Sequence, residues 1–352
     1  MSLLFRQLFD SSSCTYSYVL GDTRSCQALL IDPVYERYNR DEALIRELGL
    51  QLVLCVDTHC HADHVSASYL MNQHMGCKIA ASGRSGIQGL DRGLSHGDRI
   101  DIGNLRLDVR ATPGHTDGCI TLVLANHSLA FTGDCLLIRG CGRTDFQQGS
   151  AATLFRSITE QIFTLPDQCL IYPGHDYQGR AQSSVGEEKR FNPRIGGGAN
   201  ETDFIGYMEN MRLPHPRRLD EAVPANLRAG RPLDGRVPQA PDWAPVVTTY
   251  SGILEVCPEW VATHLDQVAV LDVRNAAEQA EEPVHIAGAI NIPLHQLRGR
   301  LKEIPQDRPV MALCRSGRRS AMAFNILREE GWEQVANVQG GLLRWHAEGL
   351  PS

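Results

Sequence analysis

Leu52-Val53-Leu54-Cys55-Val56-Asp57-Thr58-His59-Cys60-His61-Ala62-Asp63-His64 decides how the first two thirds of this chain are read. The unbroken apolar run at 52–56 predicts a strand buried on both faces, and such a strand delivers the residues after it to a sheet edge. Those residues include three imidazoles and a carboxylate within six positions. Imidazole with carboxylate suits Zn, Fe or Mn rather than Ca or Mg. The same grammar recurs: His115 in Thr112-Pro113-Gly114-His115, Asp134 in Thr132-Gly133-Asp134 and His175 in Pro173-Gly174-His175 each come after an apolar run and a glycine. Cys60 sits inside the motif, but extended alternation points it away from the histidines, so it reads as buried and not as a ligand.

Around these motifs the chain alternates short apolar runs (15–20, 28–31, 120–124, 129–131, 170–172) with helical spacing at 41–48 and 151–163. The 352 residues predict two domains. A net charge of −7 argues against nucleic acid, whose phosphates need a basic face. No apolar run approaches the roughly 18 residues of a membrane span. The first ten residues are too short and interrupted for a signal peptide, so a cytoplasmic enzyme is expected. The 11 cysteines are an odd number and form no Cys-x-x-Cys. Most should therefore be reduced, buried, small apolar residues, with one or two chemical.

Residues 224–245 change character. They hold Pro224, Pro232, Pro238, Pro241 and Pro245, with Gly230 and Gly235 between. Proline at this density predicts an extended, semi-rigid connector. It sets the first domain at 1–244 and the second at 248–352. The second restarts a strand–helix alternation, with apolar runs at 268–273 and 310–313 and a helix at 321–330, which predicts an α/β unit with a parallel sheet flanked by helices.

His59-x-His61-x-Asp63-His64 with His115, Asp134 and His175 resembles the metallo-β-lactamase superfamily. The resemblance implies an α/β fold of the αββα sandwich type, with metal at one edge of its two sheets. Ligand counting alone favours a dinuclear hydrolase such as a glyoxalase-II-like zinc enzyme. A second signature points elsewhere. Thr132-Gly-Asp-Cys-Leu-Leu-Ile-Arg-Gly-Cys-Gly-Arg143-Thr-Asp-Phe-Gln-Gln-Gly149 resembles the persulfide dioxygenases, as do His175-Asp176-Tyr177, Glu187-Glu-Lys-Arg-Phe-Asn-Pro-Arg194 and Val223-Pro-Ala-Asn-Leu-Arg228. This resemblance spans about residues 5–230. It implies one Fe(II) per chain held by His59, His115 and Asp134, with no organic cofactor. His61, Asp63, His64 and His175 would orient those ligands. Arg143, Tyr177 and Arg194 would bind glutathione, whose two carboxylates suit Arg forks.

Cys314-Arg315-Ser316-Gly317-Arg318-Arg319-Ser320 comes directly after the apolar run at 310–313 and opens a helix. Such a turn aims backbone N–H groups at the sulfur, and the helix N-terminus adds positive potential, so the thiol should be acidified and nucleophilic. Cys314 and Arg319 are also reminiscent of a Cys-x5-Arg phosphatase loop, though with four residues between them rather than five. The surrounding residues resemble a single-domain rhodanese over about 250–350: Leu271-Asp272-Val273-Arg274, His285-Ile-Ala-Gly-Ala-Ile-Asn-Ile-Pro293, Gly340-Gly341 and Trp345. That implies Cys314 as carrier of sulfane sulfur, Arg315, Ser316, Gly317, Arg318 and Arg319 as its loop, and Asp272 and Arg274 as support.

Together the resemblances imply a bifunctional enzyme of sulfur metabolism. It would oxidise glutathione persulfide with O2 to sulfite and glutathione, and move sulfur between thiosulfate and glutathione in either direction. Partners would be these small molecules, not nucleic acid or membrane, with a homo-oligomer left open. The alternatives are a dinuclear zinc thioester hydrolase with a rhodanese module, and a non-catalytic sulfur-binding C-terminal domain.

Overall fold

The computed structural model describes residues 2–211, 213–234, 236–238, 241–281 and 286–351. His285, Gly235, Gln239 and Ala240, which belong to the rhodanese-like stretch and the proline-rich connector, lie outside the described residues. The chain divides into two units, Met1–Val237 and Pro238–Ser352.

The first unit holds two sheets. One runs in the order β1 (Leu3–Asp10), β2 (Thr15–Asp22), β3 (Gln27–Ile31), β4 (Gln51–Asp57), β5 (Lys78–Ser82) and β6 (Arg92–Leu94). The other is built from β7 (Arg99–Ile102), β8 (Leu105–Ala111), β9 (Ile120–Leu124), β10 (Leu129–Gly133), β11 (Leu170–Pro173) and β12 (Ser183–Ser184), in reverse spatial order. Strands β3 to β6 pair in parallel, as do β10 and β11.

The continuous apolar runs arise from two-sided burial. Tyr18, Leu20, Leu29, Ile31 and Val56 face Leu107, Val109, Leu122, Phe131 and Tyr172 in one core between the sheets. The alternate residues Val19, Ala28, Leu30 and Cys55 turn the other way, onto residues of α1 (Tyr38–Glu47) and α2 (Ser68–Met75) such as Ile45 and Met71. On the far side Val123, Ala130 and Ile171 pack with Leu154 of α3 (Ala151–Ser157) and Phe204 and Met208 of α5 (Glu201–Glu209), which α4 (Val185–Phe191) precedes. The result is the αββα sandwich the resemblance implied.

Two local expectations are corrected. The helix expected over 151–163 leaves α geometry at Ile158: Ile158–Ile162 form a π-helical turn closed by the Phe163 N–H on the Ile158 carbonyl at 2.8 Å. Pro224 is not in an extended connector but inside α6 (Leu219–Asn226). Here helix packing, with Ala222 and Asn226 buried, overrides proline's penalty.

The second unit is one sheet in the order β13 (Val247–Thr248), β14 (Leu254–Val256), β18 (Val335–Val338), β17 (Val310–Leu313), β15 (Ala269–Asp272) and β16 (Ile290–Asn291), parallel except for β13. Val310, Ala312 and Cys314 pack on one face with Ala323, Phe324 and Leu327 of α9 (Arg318–Glu329). Met311 and Leu313 pack on the other with Val261 of α7 (Pro258–Thr263) and Trp345 of α10 (Gly341–Ala347); α8 (Ala276–Glu281) lies between β15 and β16 in sequence. Ala244 is 4 % exposed in that second core, so residues before 248 already belong to the second unit.

Candidate functional sites

Four strand ends converge in the first unit. The loops after β4, β8, β10 and β11 bring His59, His115, Asp134 and His175 together. One ligand atom each from His59, His115 and Asp134 lies within 4.8 Å of the others, and His115 Nε2 stands 3.6 Å from Asp134 Oδ2. Glycine makes the approach possible. Gly133 sits at φ +49°, and a Cβ there would meet Thr58 Oγ1 at 2.6 Å; one on Gly174 would meet Asp134 Oδ1 at 2.7 Å. The Gly preceding Asp134 and the Gly preceding His175 are therefore steric requirements of the site.

Hydrogen bonds set the tautomers. Thr58 donates from N and Oγ1 to the two carboxylate oxygens of Asp32, at 2.7 and 2.8 Å. Its hydroxyl can then only accept from His59 Nδ1, 3.0 Å away. His115 Nδ1 donates to the Arg143 carbonyl at 2.7 Å. Both imidazoles therefore keep Nε2, not Nδ1, for the centre, the nitrogen through which a metal would be bound. Burial, with the neighbouring His61 adding to it, holds His59 well below the usual imidazole range, so it is neutral.

His175 behaves differently. Its Nδ1 bonds Asp134 Oδ1 at 2.7 Å and its Nε2 bonds Asp63 Oδ2 at 2.9 Å. Burial opposes its charge, but these two carboxylates overcome it and hold His175 well above the usual range. An imidazolium donating from both nitrogens has no lone pair for a metal. Asp63 Oδ2 also meets His64 Nδ1 at 2.9 Å and the Thr15 hydroxyl at 3.1 Å. His61 Nε2 lies 3.1 Å from Asp32 Oδ1; burial lowers its pKa, but Asp32 pushes it up to about 9. His61, Asp63 and His64 nevertheless also bring ligand atoms within 4.8 Å. Cys60 is buried beside Ile79 and Ala81, its thiol pushed up to about 12 by burial.

A cavity of about 280 Å³ opens over His59, His115 and Asp134, walled by Arg143, Tyr177 and Arg194 among others. All three residues expected to meet glutathione thus share one pocket. Arg143 is already engaged: Nε and Nη2 bond Asp145 at 2.6 Å each, and Nη1 and Nη2 bond the carbonyls of Pro214 and Leu213 at 2.6 and 3.1 Å. It could offer a substrate carboxylate its full fork only by releasing Asp145. Arg194 bonds the Cys141 carbonyl at 2.6 Å, and the Tyr177 ring lies parallel to His175 with centroids 6.1 Å apart. Thr15, Asp32 and Thr58 carry no motif that singles them out in the sequence. Only Thr58 has a local signal, its place directly before His59.

In the second unit Cys314 directly follows β17 and opens the turn to the N-terminus of α9, with Gly317 at φ +86° as the helix N-cap. Burial raises the thiol, but Ser320 Oγ at 3.3 Å and the backbone N–H groups of Ser320, Ser316 and Arg319 outweigh it and hold Cys314 below the usual thiol range. Arg315 and Arg318 are exposed. Arg319 grips Glu278 through Nη1 and Nη2 at 2.5 and 2.6 Å, so its fork is turned to a carboxylate rather than left for a phosphate as a phosphatase loop would need. Asp272 and Arg274 form a buried pair at 2.8 Å next to that loop's strand. Gln279 of α8 also bonds Asp272 at 3.0 Å.

Residues 15–175 match the metallo-beta-lactamase superfamily, and residues 258–348 match the rhodanese-like domain. The human mitochondrial persulfide dioxygenase ETHE1 is 54 % identical over 229 residues, 65 % of this chain and 89 % of that protein. The crystal structure of ETHE1 from Myxococcus xanthus is 48 % identical and superposes with a TM-score of 0.63, covering 64 % of this chain and 99 % of that one. A metallo-β-lactamase from Staphylococcus aureus covers 96 % of this chain and 98 % of its own at 24 % identity and TM-score 0.61, a likeness of fold. Among the described residues no helix is long and apolar enough to cross a membrane. The chain is an enzyme of sulfur metabolism: it belongs to the persulfide dioxygenase family of the metallo-β-lactamase superfamily and carries a rhodanese-like domain behind it.

Proposed function

We propose that the first unit oxidises glutathione persulfide with O2 at a single Fe(II) held by His59, His115 and Asp134, and that Cys314 carries sulfur between thiosulfate and glutathione. The observation that carries the single-metal reading is the His175 bridge. Its two nitrogens are committed to Asp63 and Asp134, so two of the residues that would hold a second ion, His175 and Asp63, are instead bonded into support for the first.

Two imidazoles and one carboxylate fit Fe(II), which would supply one-electron chemistry and open positions for a thiolate and O2. Asp134 provides the single negative charge and keeps its orientation through His175. Thr58 and the Arg143 carbonyl hold the His59 and His115 rings. Arg194 and Tyr177, with Arg143, would bind the glutathione carboxylates and place the terminal sulfur over the ligands. The net reaction balances: persulfide, O2 and water give sulfite and glutathione, with O2 accepting the four electrons lost by the sulfane sulfur. In the second unit the Cys314 thiolate attacks the outer sulfur of thiosulfate, sulfite leaves with the bond pair, and a glutathione thiolate then takes the sulfur from Cys314. The reverse sequence makes thiosulfate from sulfite. We place both reactions in the cytoplasm, where glutathione is abundant and thiols stay reduced.

Metal quantitation with O2 uptake tests this. One iron per chain and O2 consumption that depends on glutathione persulfide are expected. Two zincs with thioester hydrolysis, which the His61–Asp63–His64 cluster would serve, would overturn it. Within the pocket, Arg194→Ala should raise KM for glutathione persulfide by roughly 10–100-fold, the worth of a charged hydrogen bond, with iron content unchanged. An unchanged KM removes Arg194 from the substrate site.

A further inference from the structure

Asn226, the last residue of α6, takes no part in the chemistry of either unit, and it is only 2 % exposed. Its Nδ2 donates to the carbonyls of His61 and His64 at 2.9 and 2.8 Å, and its Oδ1 accepts from the Ser66 N–H at 2.8 Å. Two carbonyls can only accept and one N–H can only donate, so the network itself settles which way the amide points. One side chain from 160 or more residues away thus satisfies three backbone groups of the loop between β4 and α2.

The turn after Asn226 lies on the same loop. Gly230, at φ +75°, leaves no room for a Cβ against the Ser66 carbonyl. Tyr69 N–H bonds the Ala229 carbonyl at 3.1 Å, and Ser66 Oγ donates to Asp57 Oδ1 at 2.8 Å. α6 lies beyond the residues matched to the metallo-beta-lactamase superfamily, which end at 175. It is a later segment of the chain folded back onto the metal loop.

We propose that Asn226 is a positioning residue for the metal centre. By pinning the backbone on both sides of Asp63 it keeps the Asp63 carboxylate on His175, and His175 in turn orients the ligand Asp134. This rests on the metal-centre reading of the proposed function. An unpinned loop lets its carbonyls turn to other donors, Asp63 shifts, and Asp134 is free to rotate out of the ligand set.

The test uses the full chain with Co(II) as the probe. Absorption of the bound ion reports its ligand geometry, and its loss to a chelator gives a release rate. Asn226→Ala and Asn226→Asp should release Co(II) about 10–100-fold faster than the wild type, as is typical when a ligand's supporting partner is lost, with altered absorption. Ala222→Gly, on the buried face of the same helix, should lower the thermal midpoint but release Co(II) at the wild-type rate. If the Ala variant does not fold, Asn226→Gln keeps the amide but displaces it by one methylene, and it should still release the ion faster. Wild-type release from the Asn226 variants, with only the thermal midpoint moved, overturns the proposal. A wild-type chain that binds no metal overturns the metal-centre reading instead, so the two failures are distinguishable.

Discussion

Asp134→Ala is expected to leave the chain without bound iron and without persulfide-dependent O2 uptake, while the same preparation still transfers sulfur from thiosulfate to a thiol. The loss should be total within detection, because Asp134 does two jobs at once. It is the one carboxylate in the cluster with His59 and His115, and burial, which would neutralise it, is outweighed above all by the His175 imidazolium bonded to it, so it stays ionised. Its removal takes a ligand from the site and leaves the His175 imidazolium with Asp63 as its remaining carboxylate partner. Losing a supporting partner costs about 10–100-fold in metal affinity, and losing the ligand itself costs more. Asp134→Asn is the sharper variant. It preserves volume, so a fold defect is small, yet it removes the charge and should fail in the same way. The two units have separate cores, so sulfur transfer is the internal control for folding. Iron retained at one per chain in either variant would remove Asp134 from the ligand set.

Cys314→Ser is expected to do the reverse. Thiosulfate-to-glutathione sulfur transfer should fall by on the order of 10⁴-fold or more, the scale of losing a covalent nucleophile, while O2 uptake on supplied glutathione persulfide stays at the wild-type rate. A serine hydroxyl cannot carry sulfur as a persulfide. The acidified thiol also predicts a pH profile. Only the thiolate is alkylated, and the folded-state pKa is lowered, so the half-maximal alkylation rate should come at a lower pH than for an ordinary thiol. Ser320→Ala removes the 3.3 Å hydroxyl contact and should move that midpoint upward. Transfer that survives Cys314→Ser would assign the chemistry to another thiol. Three buried thiols of the first unit offer poor replacements: Cys60, Cys119 and Cys135 are all pushed up by burial.

Much of this arrangement was legible in the chain itself. The runs at 52–56, 120–124 and 310–313 are apolar at nearly every position because both faces of those strands are covered, and that pattern is local. The ligand types are local too: His59 to His64 lie in one loop, and Gly133 and Gly174 mark where backbone must pass close to a ligand. The connector was harder. Proline spacing reads as extended chain, yet Pro224 lies in α6 because the burial of Ala222 and Asn226 on either side of it draws the segment into a helix.

The sequence by itself therefore determined many of the strands, the candidate ligand types, the candidate nucleophile and the order of the two units, because each depends on side-chain periodicity or on neighbours within a few positions. Only the tertiary structure decided how those groups are used. Which nitrogen His59 and His115 present depends on Asp32, acting through Thr58, and on the Arg143 carbonyl. Whether His175 is ligand or support depends on Asp63, 112 positions away, and whether Arg143 is free for substrate depends on Asp145, Leu213 and Pro214. The physical reason is that a donor or acceptor can be satisfied by any partner of the opposite kind. Local sequence supplies the candidates, and the folded chain chooses among them.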